Sequence, residues 1–201
     1  GRFYYAAPVL AGDYLLAGDY LNTLHALNPS SGFQQWNYTQ AGRFVASPLV
    51  VNDVIVAPNS NRNVYGFDLS GTLLWKFGAT DGFWAQPVTD GTLAFVAGMD
   101  HYLYAIQPAN GNLVWKMDLG GATAYPPAVG EDKLYQATIA SELIALNTAN
   151  GAVQWRFKAD SAIWMQPVLR EGVLYFGDIL GNVYAVDEAT GFQKWKLSME
   201  K

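Results

Sequence analysis

Short runs in which apolar residues alternate with polar ones, broken at Gly, Asn, Asp and Pro, cover the chain from end to end. The last such unit is representative. Ala162 to Leu169 reads as a first strand containing Pro167-Val168, Glu171-Gly172 as a tight turn, and Val173 to Gly177 as a second strand rich in β-branched and aromatic residues. Asp178 to Gly181 reads as a polar turn and Asn182 to Asp187 as a third strand. Glu188 to Gly191 is a turn closed by glycine, and Phe192 to Leu197 is a fourth strand. Turn signals this closely spaced predict an antiparallel meander. No segment sustains a 3.6-residue apolar period, so helix is expected to be minimal.

The same unit occurs five times. Pro8, Pro48, Pro87, Pro127 and Pro167 are spaced by 40, 39, 40 and 40 residues, and Trp36, Trp75, Trp115, Trp155 and Trp195 by 39, 40, 40 and 40. Gly32, Gly71, Gly111, Gly151 and Gly191 each precede the Trp by four. A four-stranded meander has two apolar faces and cannot bury both alone; radial stacking buries each against a neighbour. A period near 40 therefore predicts an all-β, five-bladed β-propeller of four-stranded antiparallel blades. It would form one domain over residues 1–201, with blades of approximately 1–40, 41–79, 80–119, 120–159 and 160–201. Closure is left open. Gly1-Arg2-Phe3 echoes Gly42-Arg43-Phe44 and no strand shared between the ends is evident. Either blade one packs directly on blade five, or the five units belong to a larger propeller of seven or eight blades.

Composition narrows the function classes. With 51% hydrophobic and 14% charged residues the chain is not disordered, and at 22.0 kDa about 70% of its surface should be buried on folding. The net charge is −5 with no Lys/Arg run, so no nucleic-acid partner is expected. The absence of Cys removes disulfides, thiol catalysis and thiolate metal sites. No stretch approaches 18 apolar residues, so no transmembrane helix is predicted in this chain. The chain opens on Gly1 without Met and reads as trimmed or as a mature fragment, in which a signal or anchor would not be visible.

The segments Ala26–Trp36, Ala145–Trp155 and Ala185–Trp195 resemble the tryptophan-docking motif of PQQ-type propeller repeats. Ala105–Trp115 fits as well, and Gly66–Trp75 is one residue short. The resemblance spans essentially the whole chain. That family includes quinoprotein dehydrogenases, a non-enzymatic BamB-type outer-membrane assembly lipoprotein and sensor domains, so it implies a fold more firmly than a function. It also implies an extracytoplasmic location, periplasmic or cell-surface. The dehydrogenases hold their quinone with an adjacent-cysteine disulfide and calcium ligands on an eight-bladed ring, and this chain has neither the Cys nor the blade count.

Candidate site residues are those where the five copies differ. Trp36, Trp75, Trp115, Trp155 and Trp195 recur in register and read as structural blade-docking residues. Trp84 and Trp164 lie three residues before the repeat Pro, where other copies have Tyr5, Val45 and Ala124, and Gln86 and Gln166 follow two residues later. Aromatic faces beside amides suit a peptide, an apolar side chain or a sugar. Phe83, Phe44, Tyr4 and Arg43 extend this set into a partner-binding channel mouth. The loops on that face would also gather Arg2, Arg62, His101, Asp19, Asp81, Asp160 and Asp178. The opposite face carries hairpin turns such as Asn52-Asp53 and Glu171-Gly172, whose role is turn formation. His25 and His101 fall at non-equivalent positions, and no metal-spacing, phosphate-loop or nucleophile-elbow motif is present.

These observations predict a monomeric, non-enzymatic binding or scaffold propeller with no catalytic residue, metal or cofactor, engaging a protein or peptide at one face. A carbohydrate-binding sensor domain is the alternative. A relative of the quinone-dependent dehydrogenases lacking its cofactor site is a second.

Overall fold

A computed structural model of the chain describes residues 6–198. They form twenty strands in five antiparallel four-stranded sheets, with no helix among the described residues. The first sheet is β1 (Val9–Ala11), β2 (Tyr14–Gly18), β3 (Thr23–Leu27) and β4 (Gln34–Thr39). The second is β5 (Leu49–Val51), β6 (Val54–Asn59), β7 (Asn63–Asp68) and β8 (Leu73–Gly78). The third is β9 (Val88–Thr89), β10 (Ala94–Ala97), β11 (Tyr102–Ile106) and β12 (Leu113–Asp118). The fourth is β13 (Ala128–Val129), β14 (Lys133–Ala137), β15 (Glu142–Asn147) and β16 (Val153–Lys158), and the fifth β17 (Val168–Arg170), β18 (Val173–Gly177), β19 (Asn182–Asp187) and β20 (Gln193–Ser198). Within each sheet the strands lie in chain order.

The first strand of each sheet is shorter than the sequence pattern suggests. Ala162–Pro167 runs outside the ladder, because Pro167 has no N–H to donate and β18 offers only three partners, Val173 to Tyr175. The segment is held instead by bonds to loops: Ile163 N–H donates to the Thr138 carbonyl of the neighbouring blade at 3.3 Å, and Ile179 N–H to the Ala162 carbonyl at 3.0 Å. These short first strands line the axis side by side, β1 next to β5, β5 to β9, β9 to β13 and β13 to β17.

Each repeat Trp has one structural job. On its own sheet it pairs with a small residue, Ala26, Gly66, Ala105, Ala145 or Ala185, and a bulge follows that residue on the partner strand. In the first four blades the indole N–H also crosses the interface to the next blade. Trp36 donates to Leu69 O (3.1 Å), Trp75 to Pro108 O (2.7 Å), Trp115 to Thr148 O (2.8 Å) and Trp155 to Glu188 O (3.0 Å). The ring lies over the turn glycine of that blade. A Cβ on Gly71, Gly111, Gly151 or Gly191 would stand 2.6 Å from the indole of the preceding blade, and all four have positive φ, so no other residue fits without strain. In blades one, four and five the turn before the glycine is closed by an Asx residue, as where Asn147 Oδ1 accepts from Ala149 and Asn150 N–H, whereas blade three has Gln107 there. The one-residue-short second copy is accommodated by a tighter turn, Gly71 N–H donating to Asp68 three residues back instead of four.

Four apolar clusters fill the interfaces between blades one and two, two and three, three and four, and four and five. No fifth cluster joins blade five to blade one among the described residues. The array is propeller-like but not closed by its own ends, so the packing of blade one on blade five that the sequence left open is not the arrangement seen.

Polar side chains buried in the loops lock the blades. Asp178 accepts from Leu180 and Asn182 N–H, the Asn182 amide and the Tyr184 hydroxyl. Burial pushes the Asp178 carboxyl up, but these bonds together outweigh it and hold the group below the usual carboxylate range. Its stabilising effect is therefore complete above the ordinary Asp value and is lost as pH falls through the lowered one. Tyr184 has the opposite sign. Burial and the neighbouring Asp178 raise its phenol to about 12, against a single bond from Asp160 N–H that lowers it. Stability is expected to decline as pH climbs from 10 to 12, and Tyr184→Phe should flatten part of that decline in a urea-midpoint series against pH. An unchanged slope would remove Tyr184 from the account.

Candidate functional site

Between β4 and β5, and at each equivalent junction, the chain drops from the outer strand to the axis and presents one residue per blade to the central opening. At the third blade this residue is Trp84, 41% exposed, and at the fifth Trp164, 57% exposed. They belong to two adjoining hollows. One, of about 410 Å³, is lined by Trp84, Gln86, Val45, Ser47, Tyr125 and Pro126 among others. The other, of about 250 Å³, is lined by Trp164, Met99, Ile139, Ala124 and Tyr125. Ala124 and Tyr125 form the shared wall. The larger is within the range usual for small-ligand or side-chain pockets, the smaller just below it.

The other sequence candidates separate. Phe44 and Phe83 are 1% and 0% exposed and do not reach the opening. Each lies one residue before the channel position and turns into the blade interface, where Phe44 meets Tyr65 and Phe83 meets Tyr104 edge-on. Phe44 even requires Gly18 beneath it, since a Cβ there would stand 2.4 Å from the Phe44 carbonyl oxygen. Both are core residues, which corrects their place in the binding set. Arg43 is exposed but engaged: its guanidinium stacks 3.9 Å over the Tyr20 ring, and Nη1 donates to the Tyr20 hydroxyl at 2.7 Å. Gln86 is free to face solvent, whereas Gln166 donates to the Pro127 carbonyl at 3.1 Å and ties blade five to blade four. The two Trp-x-Gln units are therefore not equivalent. Tyr4 lies outside the described residues.

The loop charges expected on this face are largely structural. Asp19 and Asp178 are buried and cap equivalent turns, and Asp100 binds Thr80 and the Tyr104 hydroxyl. Arg62 and His101 occupy the same left-handed turn position, at φ 72° and 74°, and their carbonyls accept from Ala79 and Leu119 N–H. Those bonds pin the loop after each second strand to the loop after each fourth, so the two sets do share one face.

Four apolar residues were not singled out by the sequence: Tyr125 and Met165, which are exposed, Met99, which is half-buried, and Ile139, which is exposed. The first two occupy the position two before the repeat Pro, where the other copies all have Ala (Ala6, Ala46, Ala85). Disagreement among copies was the available signal. Met99, Ile139 and Ile179 hold one equivalent turn position on blades three to five, where blades one and two carry Tyr20 and Ser60. At this one turn position the side chain is thus purely apolar on blades three to five and carries a hydroxyl on blades one and two, where Leu21 is the exposed apolar neighbour. Gln136 fixes the shared wall. It is fully buried and its amide donates to Thr123 Oγ1 (2.7 Å), Tyr125 O (3.0 Å) and Ala137 O (3.0 Å), while its Oε1 has no partner among the described residues.

The channel lining is neutral, and no group of three or more His, Asp or Glu is placed to hold a metal among the described residues. These residues do not fit a quinone with its calcium ion. A third hollow of about 320 Å³ lies on the opposite face, between Asn52, Leu93 and Pro108, beside the turn that receives Trp75.

Comparison with known proteins follows the fold. The chain superposes on BamB from Moraxella catarrhalis with a TM-score of 0.85 at 18% identity, over 96% of this chain and 64% of that one. It superposes on the computationally designed Ika8 protein with a TM-score of 0.82 at 11% identity, over 96% of this chain and 61% of the other. At these identities the likeness is one of fold. No curated protein matches the chain. A family model matches residues 2–98 and again 99–201, which together span the repeats. The chain belongs to the family described as the outer membrane protein assembly factor BamB.

Proposed function

We propose that this chain is a non-enzymatic binding propeller that holds an extended segment of a partner protein on the apolar rim of blades three to five, with Trp84 and Trp164 as anchors. The carrying observation is the number of exposed apolar side chains gathered on that rim. Trp164, Tyr125, Met165, Ile139 and Ile179 are between 39% and 58% exposed on one face, and contiguous exposed apolar surface of this kind marks interaction sites. The hollows offer large aromatic walls, the commonest anchors of protein interfaces, and no reacting group. The family description supports a partner from outer-membrane protein assembly and an extracytoplasmic location. A strand of a membrane β-barrel, apolar on alternate residues, has the pattern that two adjoining apolar hollows suit.

The carbohydrate reading rests on the hollow of Trp84, where Gln86 and Ser47 add polar groups. The hollow of Trp164 has no Ser, Thr, Asn, Gln or charged side chain among its lining residues. A ten-residue peptide with Phe or Tyr at alternate positions, its scrambled counterpart and a series of glucose oligomers discriminate the two readings by tryptophan fluorescence titration. The alternating peptide is expected to bind at least about tenfold more tightly than the scrambled one, a difference of about 1.4 kcal/mol. Saturable binding of the sugars with none of the peptide overturns the proposal.

A further inference from the structure

The hollow on the face opposite the rim lies where one copy of the repeat departs from its neighbours. In blades four and five a single residue ties the turn that receives the docking Trp to the first hairpin of the same blade. Thr148 N–H donates to the Asp132 carbonyl at 3.0 Å and the Thr148 hydroxyl to the same oxygen at 3.3 Å, and Glu188 N–H donates to the Gly172 carbonyl at 3.0 Å. Blade three has Pro108 at this position. Its carbonyl still accepts from Trp75, at 2.7 Å, but it has no N–H, so the equivalent hairpin carbonyl, Thr92 O, lacks that donor. The preceding residue differs as well. Gln107 stands where the other copies have Asn28, Asp68, Asn147 and Asp187, and no described group engages its exposed carboxamide. Where this closure is missing, the hollow of about 320 Å³ opens between blades two and three.

Its chemistry is specific. The apolar part of the lining is Val54, Leu93, Pro108 and Ala109. The polar part is rich in oxygen acceptors. Asn52 donates Nδ2 to Gly91 O at 3.2 Å, which leaves its Oδ1 unengaged. Asp90 Oδ1 accepts from Thr92 and Leu93 N–H at 2.8 Å each, which fixes the carboxylate beside the same hairpin and leaves Oδ2 unengaged. Asp53 adjoins Asn52, and no Lys, Arg or His lines the hollow. Acceptors from a carbonyl, an amide and a carboxylate beside an apolar wall match a primary ammonium, with its three donors, on an alkyl chain. We propose that this hollow binds a protonated primary alkylamine, as a free amine or as a lysine side chain, with the chain against Val54 and Leu93 and the ammonium among Thr92 O, Asn52 Oδ1 and Asp90. The site lies on the face opposite Trp84 and Trp164 and does not depend on the reading given for them.

Three probes with one alkyl chain and different head groups test it: n-hexylamine, n-hexanol and hexanoate, titrated against the methyl resonances of Val54 and Leu93. At about pH 7 the amine is protonated. Hexylamine should shift those resonances saturably and bind at least about tenfold more tightly than hexanol, with hexanoate the weakest. Asp90→Asn keeps the oxygen that caps Thr92 and Leu93 but removes the charge, and should weaken hexylamine at least about fivefold. Pro108→Thr installs the residue of blade four, supplies the missing donors to Thr92 O and should abolish the shifts without lowering the melting temperature. Equal binding of the three probes, or hexylamine binding that survives Pro108→Thr, overturns the proposal. If Pro108→Thr fails to fold, Asp90→Asn decides alone, and an unchanged hexylamine affinity there overturns it. With hexylamine binding established, the blocked peptide acetyl-Gly-Lys-Gly-amide separates the two sources. Binding at least as tight as that of hexylamine supports the site as one for a partner's lysine, and weaker binding supports it as one for a free amine.

Discussion

Trp115→Ala should cost about 3–5 kcal/mol of folding stability, the usual range for deleting a large buried aromatic, whereas Trp195→Ala in the same chain should cost less than about 1 kcal/mol. The two residues hold the same place in the repeat. Trp115 is 9% exposed, donates to Thr148 O at 2.8 Å, packs against Phe95 in a tilted pair with ring centroids 5.7 Å apart and fills the space over Gly151. Among the described residues Trp195 has neither that bond nor a glycine turn beneath it, is 46% exposed, and packs against Tyr175 of its own blade. Because each blade contacts only its neighbours, stability is a sum of blade and interface contributions, and removing one interface splits the array into three blades and two. Trp115→Ala should therefore broaden the thermal transition as well as lower it. Calorimetry of both variants checks this, and equal losses would mean that the repeat Trp acts within its own blade rather than across the interface.

Replacing Trp84 and Trp164 together by Ala should reduce capture of the alternating peptide at least about a hundredfold, since hot-spot aromatics contribute about 2 kcal/mol or more each. The fold should survive. Both side chains point away from the blade interfaces, and at the same position blade four has Ala124 and blade two Val45. The melting temperature should accordingly move by only a few degrees. Capture that persists at wild-type affinity would remove these residues from the site, and a collapse of the melting temperature would show that they serve packing. Gln136→Leu is the informative companion. It leaves both Trp residues in place but releases the Tyr125 carbonyl that forms the shared wall, so it should weaken binding less than the double variant does.

The architecture was legible in the sequence because the repeat writes the same physical requirement five times. A Trp needs a glycine turn under it, and these two marks stay in step with the repeat Pro through all five copies. The strands were legible for the same reason, except the first of each blade. There the apolar run continues through Ile163, Trp164 and Met165, but the ladder does not, because Pro167 interrupts it. The site was legible only in part. Trp84 and Trp164 stood out because they break the repeat, yet Phe44 and Phe83, adjacent to the channel position, were indistinguishable by composition. One residue of register along an extended segment reverses the direction of a side chain, and only the folded geometry decides which residue faces the opening. Tyr125 and Met165 were readable by the criterion that found the two Trp residues, applied one position further on. The openness of the array was not readable, because Trp195 is identical in type and spacing to the four that dock.

The central claim is that the partner lies on the rim over blades three to five. Amide hydrogen exchange of the chain with and without the alternating peptide tests it most directly. The account predicts slowed exchange at residues 84–86, 124–125 and 163–165 and at the turns carrying Met99, Ile139 and Ile179, with the hairpin turns of the opposite face unchanged. Protection confined to those opposite turns, around Asn52-Asp53 and Glu171-Gly172, or to the outer strands, would contradict it.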